Sequence, residues 1–325
     1  MNEIIINGVG AYVPSNIVTN NDLSKIVETS DEWIFERTGI RERRISEGED
    51  TSEIAIKAAY AALKNSDLKP EDIELLIVAT ITPDMFTPSV ACMVQKEIGA
   101  LNATAFDINA ACSGFLYSMQ VAEGMMKSFN YKHALIIGAE VLSKIVDWKD
   151  RGTCVLFGDG AGAAILSRSN EKGIIKSFTK AYGDKWECLT AGSVDVCNPY
   201  VQNIQNKKKF IEMNGREVFR FATSIIQESV NKVLEGTEYS LDDIKYIVPH
   251  QANVRIIDYA SKKLGVEKSR FFVNLDRIGN TSSASIPIAV NEMKEKGMLK
   301  KGDKIILVGF GGGLTYGSVL IEWKK

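Results

Sequence analysis

The segment that says most about the architecture of this chain is Ala105-Phe-Asp-Ile-Asn-Ala-Ala-Cys-Ser-Gly-Phe115, which turns from a strand into a helix within a few small residues. Thr104 to Ile108 has the apolar pattern of a short strand, and Ser113 to Met126 has the spacing of a long helix. Cys112 lies at the junction, where the free N–H groups and the dipole of a helix start favour the nucleophilic thiolate. The segment therefore predicts a catalytic thiol, and a buried structural cysteine is the alternative.

The composition is typical of a globular protein with a large core. The chain has 325 residues, of which 45% are hydrophobic, and a formal net charge of -2 at pH 7. This balance argues against nucleic acid as the main partner, and no apolar run is long enough to span a bilayer. The N-terminus lacks the pattern of a signal peptide. We therefore expect a cytoplasmic protein that does not bind membranes.

Cysteine and histidine usage points to a reduced protein without a metal. The five cysteines form no CxxC pair, and their number is odd. Neither a disulfide framework nor a zinc site is therefore expected. The two histidines, His133 and His250, offer few ligands for any other metal.

The sequence repeats its hydrophobic pattern at a shift of 171 residues. Asp72 to Val78 falls on Asp243 to Pro249, and Ala134 to Gly138 falls on Ile305 to Gly309. The first copy carries an extra segment, Val141 to Leu156. A chance match between strand and helix patterns is the alternative, but the length of the match favours a duplication.

The repeat predicts two similar halves, residues 1–170 with the cysteine and residues 171–325 with a histidine and an asparagine. Apolar strands alternate with amphipathic helices, so we expect an α/β protein whose sheets are covered by helices. Thr29 and Glu32 predict a capping box at one helix start. Residues 183–212 are polar and weakly periodic, which predicts loops.

The repeat also relates three chemically useful side chains. The shift places Asn280 on Asn109, three residues before the cysteine, and His250 follows a predicted strand. Because equivalent strand ends of two paired halves converge, we expect the cysteine, His250 and Asn280 in one site. A capping or core histidine and a turn asparagine are the alternatives. His133 precedes its strand, on the side away from the usual site of a parallel sheet, and is expected at the surface.

Several motifs along the whole chain carry a resemblance to a known family: Thr29-Ser-Asp-Glu-Trp-Ile34, Arg37-Thr-Gly-Ile-Arg41, Ala111-Cys-Ser-Gly114, Phe157-Gly-Asp-Gly-Ala-Gly162, Pro249-His-Gln-Ala-Asn253, Gly279-Asn-Thr-Ser282 and Gly311-Gly-Gly313. The chain resembles the thiolase-like condensing enzymes, and within them the β-ketoacyl-acyl-carrier-protein synthase III family. The resemblance implies a duplicated, five-layered αβαβα fold and a homodimer.

The resemblance also implies a reaction. An acyl-CoA primer and malonyl-acyl carrier protein would be condensed, with loss of CO₂, to start fatty acid biosynthesis. Cys112 would be the acylated nucleophile, and His250 and Asn280 would hold the second thioester carbonyl. The N–H groups of Cys112 and Gly312 would form the oxyanion hole. CoA thioesters would serve as substrates, and no cofactor is expected.

Binding residues follow from the same resemblance. The positions that would contact CoA are Thr29, Trp33, Arg37, Arg151, Gly152, Gly215, Phe219 and Asn253. The positions that would line the acyl pocket are Phe86, Thr87 and Phe310. The positions that would dock the acidic carrier protein are Arg220, Gln251, Arg255, Lys262 and Lys263.

The sequence leaves two alternatives and one hypothesis open. A relative that serves secondary metabolism, of the polyketide or alkyl-quinolone type, would carry the same residues. A catalytically silent partner subunit is the second alternative, although the intact Cys112, His250 and Asn280 weigh against it. Thr87 stands where the family often has an aromatic residue that limits the acyl pocket across the dimer interface, so a deeper pocket that admits medium or branched primers is the hypothesis.

Overall fold

The structure of the protein is a computed structural model that describes residues 3–201 and 209–325. Within these ranges the strands are β1 (Glu3–Tyr12), β2 (Ile17–Thr19), β3 (Glu42–Arg44), β4 (Leu75–Ala79), β5 (Thr104–Ile108), β6 (His133–Glu140), β7 (Gly160–Ser169), β8 (Ile174–Ala181), β9 (Leu189–Thr190), β10 (Glu212–Met213), β11 (Ile244–Pro249), β12 (Lys304–Gly311) and β13 (Thr315–Glu322).

The helices of the described ranges are α1 (Asn20–Leu23), α2 (Asp31–Thr38), α3 (Thr51–Lys64), α4 (Val90–Ile98), α5 (Gly114–Phe129), α6 (Arg151–Cys154), α7 (Gly215–Leu234), α8 (Val254–Leu264), α9 (Leu275–Ile278) and α10 (Ser285–Glu295). Short 3₁₀ turns at Ala111–Ser113 and Ser282–Ala284 precede α5 and α10.

The two main sheets have matching strand orders. The first sheet runs β1-β7-β6-β4-β5, and the second runs β8-β13-β12-β11. In each sheet a parallel pair (β4 with β6, and β11 with β12) adjoins antiparallel neighbours. The place of β5 is taken in the second sheet by a single bridge between Ile247 and Phe271. Within the described residues, the second sheet therefore has four strands where the first has five.

Alternating side chains of each strand pack into separate hydrophobic cores on the two faces of the sheet. Leu75 and Ile77 pack with α5 and α10 between the sheets, whereas Leu76 and Val78 pack under α3 and α4 on the outer face. In the second sheet, Leu307 faces the same central layer, and other residues of β12 pack under α7 and α8. This two-residue alternation buries both faces of each sheet. The layers are helix, sheet, helix, sheet, helix, and the predicted five-layered αβαβα fold is confirmed.

Two local predictions need correction. The N-cap of α2 is Ser30, whose hydroxyl accepts a hydrogen bond from the Trp33 N–H at 3.1 Å, so Thr29 and Glu32 do not form the predicted capping box. Of the predicted loop segment 183–212, residues 202–208 lie outside the described residues. The remainder includes a 3₁₀ segment at Gly183–Cys188 and the short β9–β10 pair.

Candidate active site

Cys112 lies in a tight turn between β5 and α5. The preceding Ala111 has a left-handed backbone with φ 46°, which is uncommon for a residue with a side chain and turns the chain sharply. We call residues 109–113 the cysteine turn. Cys112 itself is 7% exposed. The strand-to-helix junction inferred from the sequence is therefore present, with one 3₁₀ turn inserted before the helix.

The predicted ionisation of the thiol is wrong for this site. Burial raises the pKa of the Cys112 thiol to about 12, and a hydrogen bond with the Ser282 side chain opposes this shift. Loss of contact with water outweighs the favourable field of the helix start because a thiolate is poorly solvated in an apolar cavity. The resting nucleophile is therefore a thiol, and it must lose its proton during the reaction.

His250 follows β11 and is 2% exposed. Its Nδ1 lies 2.7 Å from the Ser285 hydroxyl, which also accepts a longer hydrogen bond from the Gln251 N–H at 3.5 Å. When the Ser285 hydroxyl donates to Nδ1, the ring proton lies on Nε2, which is the tautomer that makes Nε2 a hydrogen-bond donor. Burial lowers the pKa of His250 to about 3, so the imidazole is neutral near pH 7.

Asn280 begins a second turn, residues 280–285, which we call the asparagine turn. Its Oδ1 accepts a hydrogen bond from the Ser282 N–H at 2.9 Å, and its own N–H donates to the Leu156 carbonyl at 2.9 Å. Because Oδ1 is held by the turn, the amide NH₂ points the other way. Asn280 therefore presents a neutral donor from a fixed backbone.

One cavity of about 240 Å³ brings Cys112, His250 and Asn280 together, and we call it the triad cavity. The side walls of the same cavity contain most of the residues predicted to bind CoA. These are Trp33, Arg37, Arg151, Gly152, Gly215, Phe219 and Asn253. Thr29 does not line it. Phe310, predicted for the acyl pocket, lines this cavity instead, with its ring 5.3 Å from the ring of His250.

The outer end of the triad cavity carries two arginines against one indole ring. The Arg37 and Arg151 guanidinium carbons lie 4.4 Å and 4.7 Å from the Trp33 ring centroid. Arg151 also donates to the Glu28 carbonyl at 2.8 Å. A planar base between Trp33 and Arg151 needs two contact distances, about 7 Å in total, so Arg151 must move outward to admit one.

A second cavity of about 330 Å³ lies on the other side of Cys112, and we call it the rear cavity. Gly312, predicted for the oxyanion hole, lines it beside the cysteine turn. Its apolar lining was not singled out from the sequence: Ile81, Leu142, Phe157, Leu189 and Ile211. Leu142 lies in the extra segment of the first copy and Phe157 directly follows it, which was a usable signal, whereas Leu189 and Ile211 lie in the predicted loop.

Two predicted acyl-pocket residues line neither cavity of the single chain. Phe86 is 85% exposed, and Thr87 is exposed beside it. Both lie before α4 at the outer edge of the first sheet. Neither side chain reaches the cavities of its own chain, and the contact that the resemblance implies would be made across the dimer interface.

The positions predicted to dock the carrier protein are exposed, with one exception. Arg220, Arg255, Lys262 and Lys263 are exposed, and Arg220 forms an ion pair with Glu217 at 2.7 Å. Gln251, in contrast, is 1% exposed. Its side-chain amide donates to the carbonyls of neighbouring loops and its oxygen accepts from a backbone N–H. A carboxamide used in this way cannot contact a docked protein.

No group of three or more His, Cys, Asp or Glu side chains within residues 3–201 and 209–325 could hold a metal ion. In the same ranges, no helix combines the length and the apolar character needed to cross a bilayer.

Comparison with known families identifies this arrangement. Residues 106–183 match the model of 3-oxoacyl-[acyl-carrier-protein] synthase III, and residues 234–323 match the model of its C-terminal part. The chain belongs to the 3-oxoacyl-[acyl-carrier-protein] synthase III family. The family predicted from the motifs is thereby confirmed.

Relatives within the synthase III family cover the full chain. The β-ketoacyl-[acyl-carrier-protein] synthase III of Clostridium beijerinckii is 58% identical over 99% of this chain and 100% of its own length. That of Clostridium acetobutylicum is 55% identical over 100% of both chains. The crystal structure of the synthase III from Aquifex aeolicus has a TM-score of 0.92 and 45% identity, covering 98% of this chain and 100% of that one.

A priming β-ketosynthase from the R1128 polyketide pathway has the same fold. It is 32% identical, with a TM-score of 0.91 over 99% of this chain and 97% of its own. The synthase III enzymes of the two Clostridium species and of Aquifex aeolicus are more similar in sequence, at 58%, 55% and 45% identity.

Proposed function

We propose that this protein condenses an acyl-CoA primer with malonyl-acyl carrier protein, releases CO₂ and CoA, and so initiates fatty acid biosynthesis. The observation that carries the proposal is the triad cavity, where Cys112, His250 and Asn280 share one space with the predicted CoA contacts. Curated relatives at 55% and 58% identity bear the name of this enzyme. The polyketide alternative has its support in a less similar structure, and an intact triad argues against a silent subunit.

In the first step, the Cys112 sulfur attacks the thioester carbonyl of the primer. The tetrahedral oxyanion would be received by the N–H groups of Cys112 and Gly312, each such donor being worth roughly 3 kcal/mol of barrier. The acyl–CoA bond breaks, and the proton lost by the Cys112 thiol is balanced by the one taken up by CoA. The acyl group remains on sulfur, which predicts ping-pong kinetics.

In the second step, malonyl-acyl carrier protein loses CO₂ and the bonding electrons remain as an enolate. Neutral donors, Nε2–H of His250 and Nδ2–H of Asn280, would stabilise the enolate oxygen. The enolate carbon attacks the acyl-Cys112 carbonyl, the carbon–sulfur bond breaks, and the thiolate takes up a proton. The products are 3-oxoacyl-acyl carrier protein and free Cys112. These steps require CoA and carrier-protein thioesters as substrates and route nothing through a cofactor.

The rear cavity supports primers longer than acetyl. Its volume of about 330 Å³ far exceeds the ~30 Å³ that a water molecule occupies in the liquid, and an acetyl group is only a few times larger than water. The apolar lining suits an alkyl chain, straight or branched. Thr87 does not line the cavity of its own chain, so its proposed effect on primer length would act on the partner's pocket across a dimer interface.

A homodimer through the edge of the first sheet is the proposed assembly. β5 is the edge strand of this sheet, and an unpaired edge invites pairing with a second copy. Asp107 of β5 accepts hydrogen bonds from the N–H groups of Val90 and Ala91, which places the exposed Phe86 beside this edge. Pairing would cover Phe86 and could bring it and Thr87 to the partner. Light scattering of wild type and Phe86→Asp tests this, since the variant should be monomeric.

The exposed Arg220, Arg255, Lys262 and Lys263 are the proposed docking site for the acidic carrier protein. Arg255 lies beside the wall of the triad cavity, with its guanidinium carbon 5.9 Å from the Phe219 ring centroid. Docking there would deliver the malonyl group to the correct opening. A reducing compartment such as the cytoplasm is proposed as the location, because a nucleophilic thiol must remain reduced.

The division of the chain at residues 170 and 171 is retained as a proposal for the two halves. The change from the first sheet to the second falls between Ser169 and Ile174, which supports it.

Mass spectrometry of the intact protein after exposure to acyl-CoA tests the proposed function. Wild type should gain one acyl group, and Cys112→Ala should gain none. Cys92→Ala, which removes an exposed thiol that lines neither cavity, is the matched control and should label as wild type does. His250→Ala and Asn280→Ala should still be acylated but should not decarboxylate malonyl-acyl carrier protein. Loss of labelling in both would contradict the assigned roles.

A further inference from the structure

Glu140 is a buried carboxyl group that the proposed mechanism does not use. It ends β6 and is 0% exposed. One oxygen, Oε2, accepts hydrogen bonds from the Thr82 hydroxyl at 2.8 Å, the Ile81 N–H at 3.1 Å and the Thr80 hydroxyl at 3.2 Å. The other, Oε1, lies 2.9 Å from the Ser283 hydroxyl of the asparagine turn. All of these partners are uncharged, which is unusual for a buried carboxylate.

The contacts of Ser283 indicate where a proton lies. Its hydroxyl is 2.9 Å from the Ala79 carbonyl and 2.9 Å from Glu140 Oε1. A hydroxyl has one proton and cannot fully satisfy two acceptors. If Oε1 carries a proton and donates it to Ser283, the Ser283 proton is free for the Ala79 carbonyl and every contact is satisfied. Burial also raises the pKa of Glu140, although the surrounding hydrogen bonds oppose that rise.

The internal repeat gives this contact a counterpart at the candidate nucleophile. The shift of 171 residues that relates the two halves places Glu140 on Gly311 and Cys112 on Ser283. In the cysteine turn, Cys112 faces Gly311, where a Cβ would lie 3.1 Å from the Cys112 sulfur. In the asparagine turn, the equivalent residue Ser283 faces the carboxyl group of Glu140. Ser283 is therefore hydrogen-bonded to the facing strand, whereas Cys112 faces a glycine that has no side chain to bond it.

We propose that Glu140 is a protonated positioning residue, whose Oε1–H donates to Ser283 and holds the asparagine turn against the first half. That turn carries Asn280 at its start and Ser285, the anchor of His250, at its end. Glu140 thereby fixes the two donors of the decarboxylation step from a strand of the opposite half. The inference rests on the proposed function, which assigns that step to Asn280 and His250.

Replacing the acid by its neutral isostere separates positioning from simple packing. In Glu140→Gln, the amide oxygen can take the place of Oε2 and the NH₂ can donate to Ser283, so both half-reactions should stay within about threefold of wild type. Glu140→Ala should lower condensation about tenfold or more, with a smaller loss of Cys112 acylation. Ser283→Ala removes the acceptor and should show the same uneven loss.

Asp159→Asn is the matched control, because it neutralises another fully buried carboxyl of the first half. The contacts of Asp159 are all donors, the N–H groups of Ser46 and Ser143 and the Ser143 hydroxyl, so an amide should be destabilising there. The melting temperature should fall for Asp159→Asn and should stay near that of wild type for Glu140→Gln.

Acylation is measured by intact mass and condensation by release of CO₂ from malonyl-acyl carrier protein. A Glu140→Gln variant as damaged as Glu140→Ala would show that the carboxylate charge is needed and would overturn the inference. Equal losses in both half-reactions for Ser283→Ala would also overturn it, because they indicate a general packing role. These outcomes presuppose an active wild type; a wild type that is not acylated at Cys112 would instead reject the proposed function.

Discussion

The cysteine turn and the asparagine turn have the same backbone but opposite surroundings. Ala111 and Ser282, related by the repeat, have φ values of 46° and 48°. In each turn an asparagine, Asn109 or Asn280, accepts a hydrogen bond from the N–H two residues later, at 3.4 Å and 2.9 Å. The nucleophile of the first turn borders two cavities, whereas its counterpart in the second turn is fully hydrogen-bonded.

This difference shows how a duplicated turn can be specialised at little structural cost. The strained backbone is retained in both halves, so the local hydrogen bond of the asparagine supports it wherever it occurs. What changes is the end of the opposing strand, glycine at 311 and glutamate at 140. The chemistry of each turn is therefore determined as much by the facing half as by the turn itself.

The strongest test of this comparison fills the space opposite the thiol. In Gly311→Ala, the new Cβ would lie 2.8 Å from both the N and the Cβ of Cys112, and backbone cannot move aside as a flexible side chain can. The rate of acylation should fall about 10²-fold or more, since the oxyanion donor is displaced. Gly312→Ala, whose nearest contacts are 3.4 Å, is the control and should lose much less. Similar losses in the two variants would break the comparison.

A second test compares His250, which directly follows β11, with His133, which begins β6. His250 stays neutral when folded because burial lowers its pKa to about 3, whereas the unfolded chain takes up a proton below pH 6.5. The free energy of unfolding should therefore fall by about 2 kcal/mol between pH 6.5 and pH 5 from this residue alone. Denaturant melts of His250→Asn should lack that portion of the acid sensitivity.

His133→Gln provides the matched comparison for that experiment. Burial also lowers the pKa of His133, but this side chain is only half-buried and nearby Asp72 and Glu74 oppose the shift. The acid sensitivity should therefore change less than in His250→Asn. An equal change in the two variants would show that burial at the strand exit is not the cause.

A third test narrows the rear cavity, which lies behind the cysteine turn. Leu142 is 0% exposed and lines this cavity. Leu142→Phe should lower kcat/KM for hexanoyl-CoA at least about tenfold relative to acetyl-CoA, because a filled apolar pocket rejects added methylenes. Competition between the two primers measures the ratio directly. An unchanged ratio would place the acyl chain elsewhere.

The smallest effect is expected at the outer end of the triad cavity. Trp33→Ala removes the ring against which Arg37 and Arg151 lie, and KM for acyl-CoA should rise about fivefold with kcat nearly unchanged. Phe35→Ala is the control on the same helix, where Arg41 lies 3.7 Å from an exposed ring outside the cavity. A matching rise in the control would mean that α2 itself, not the indole ring, was disturbed.

The sequence predicted the features that depend on pattern and motif. The repeat and the alternating strands were enough for the layered fold, and the equivalence of Asn109 with Asn280 pointed to two converging turns. The same shift indicated that His250 lies at a strand exit. These inferences depend on backbone periodicity, which the sequence records directly.

Other features depend on contacts between distant segments. Gln251 stands before a basic helix and was expected to be exposed, yet its amide is consumed by the backbone of neighbouring loops. The field of the helix start argued for an ionised Cys112, but burial by both halves has the larger effect. The contact predicted for Phe86 and Thr87 lies across a dimer interface and stays a prediction, because both side chains are exposed on the single chain.

The low pKa of His250 affects what happens to the malonyl group after it has lost CO₂. An imidazolium beside a newly formed carbanion would quench it to an acetyl thioester and waste the extender unit. With the ring kept neutral by burial, no readily acidic group of His250 is available for that side reaction. The carbanion would then persist until it attacks the acyl-Cys112 carbonyl, which couples loss of CO₂ to formation of the carbon–carbon bond.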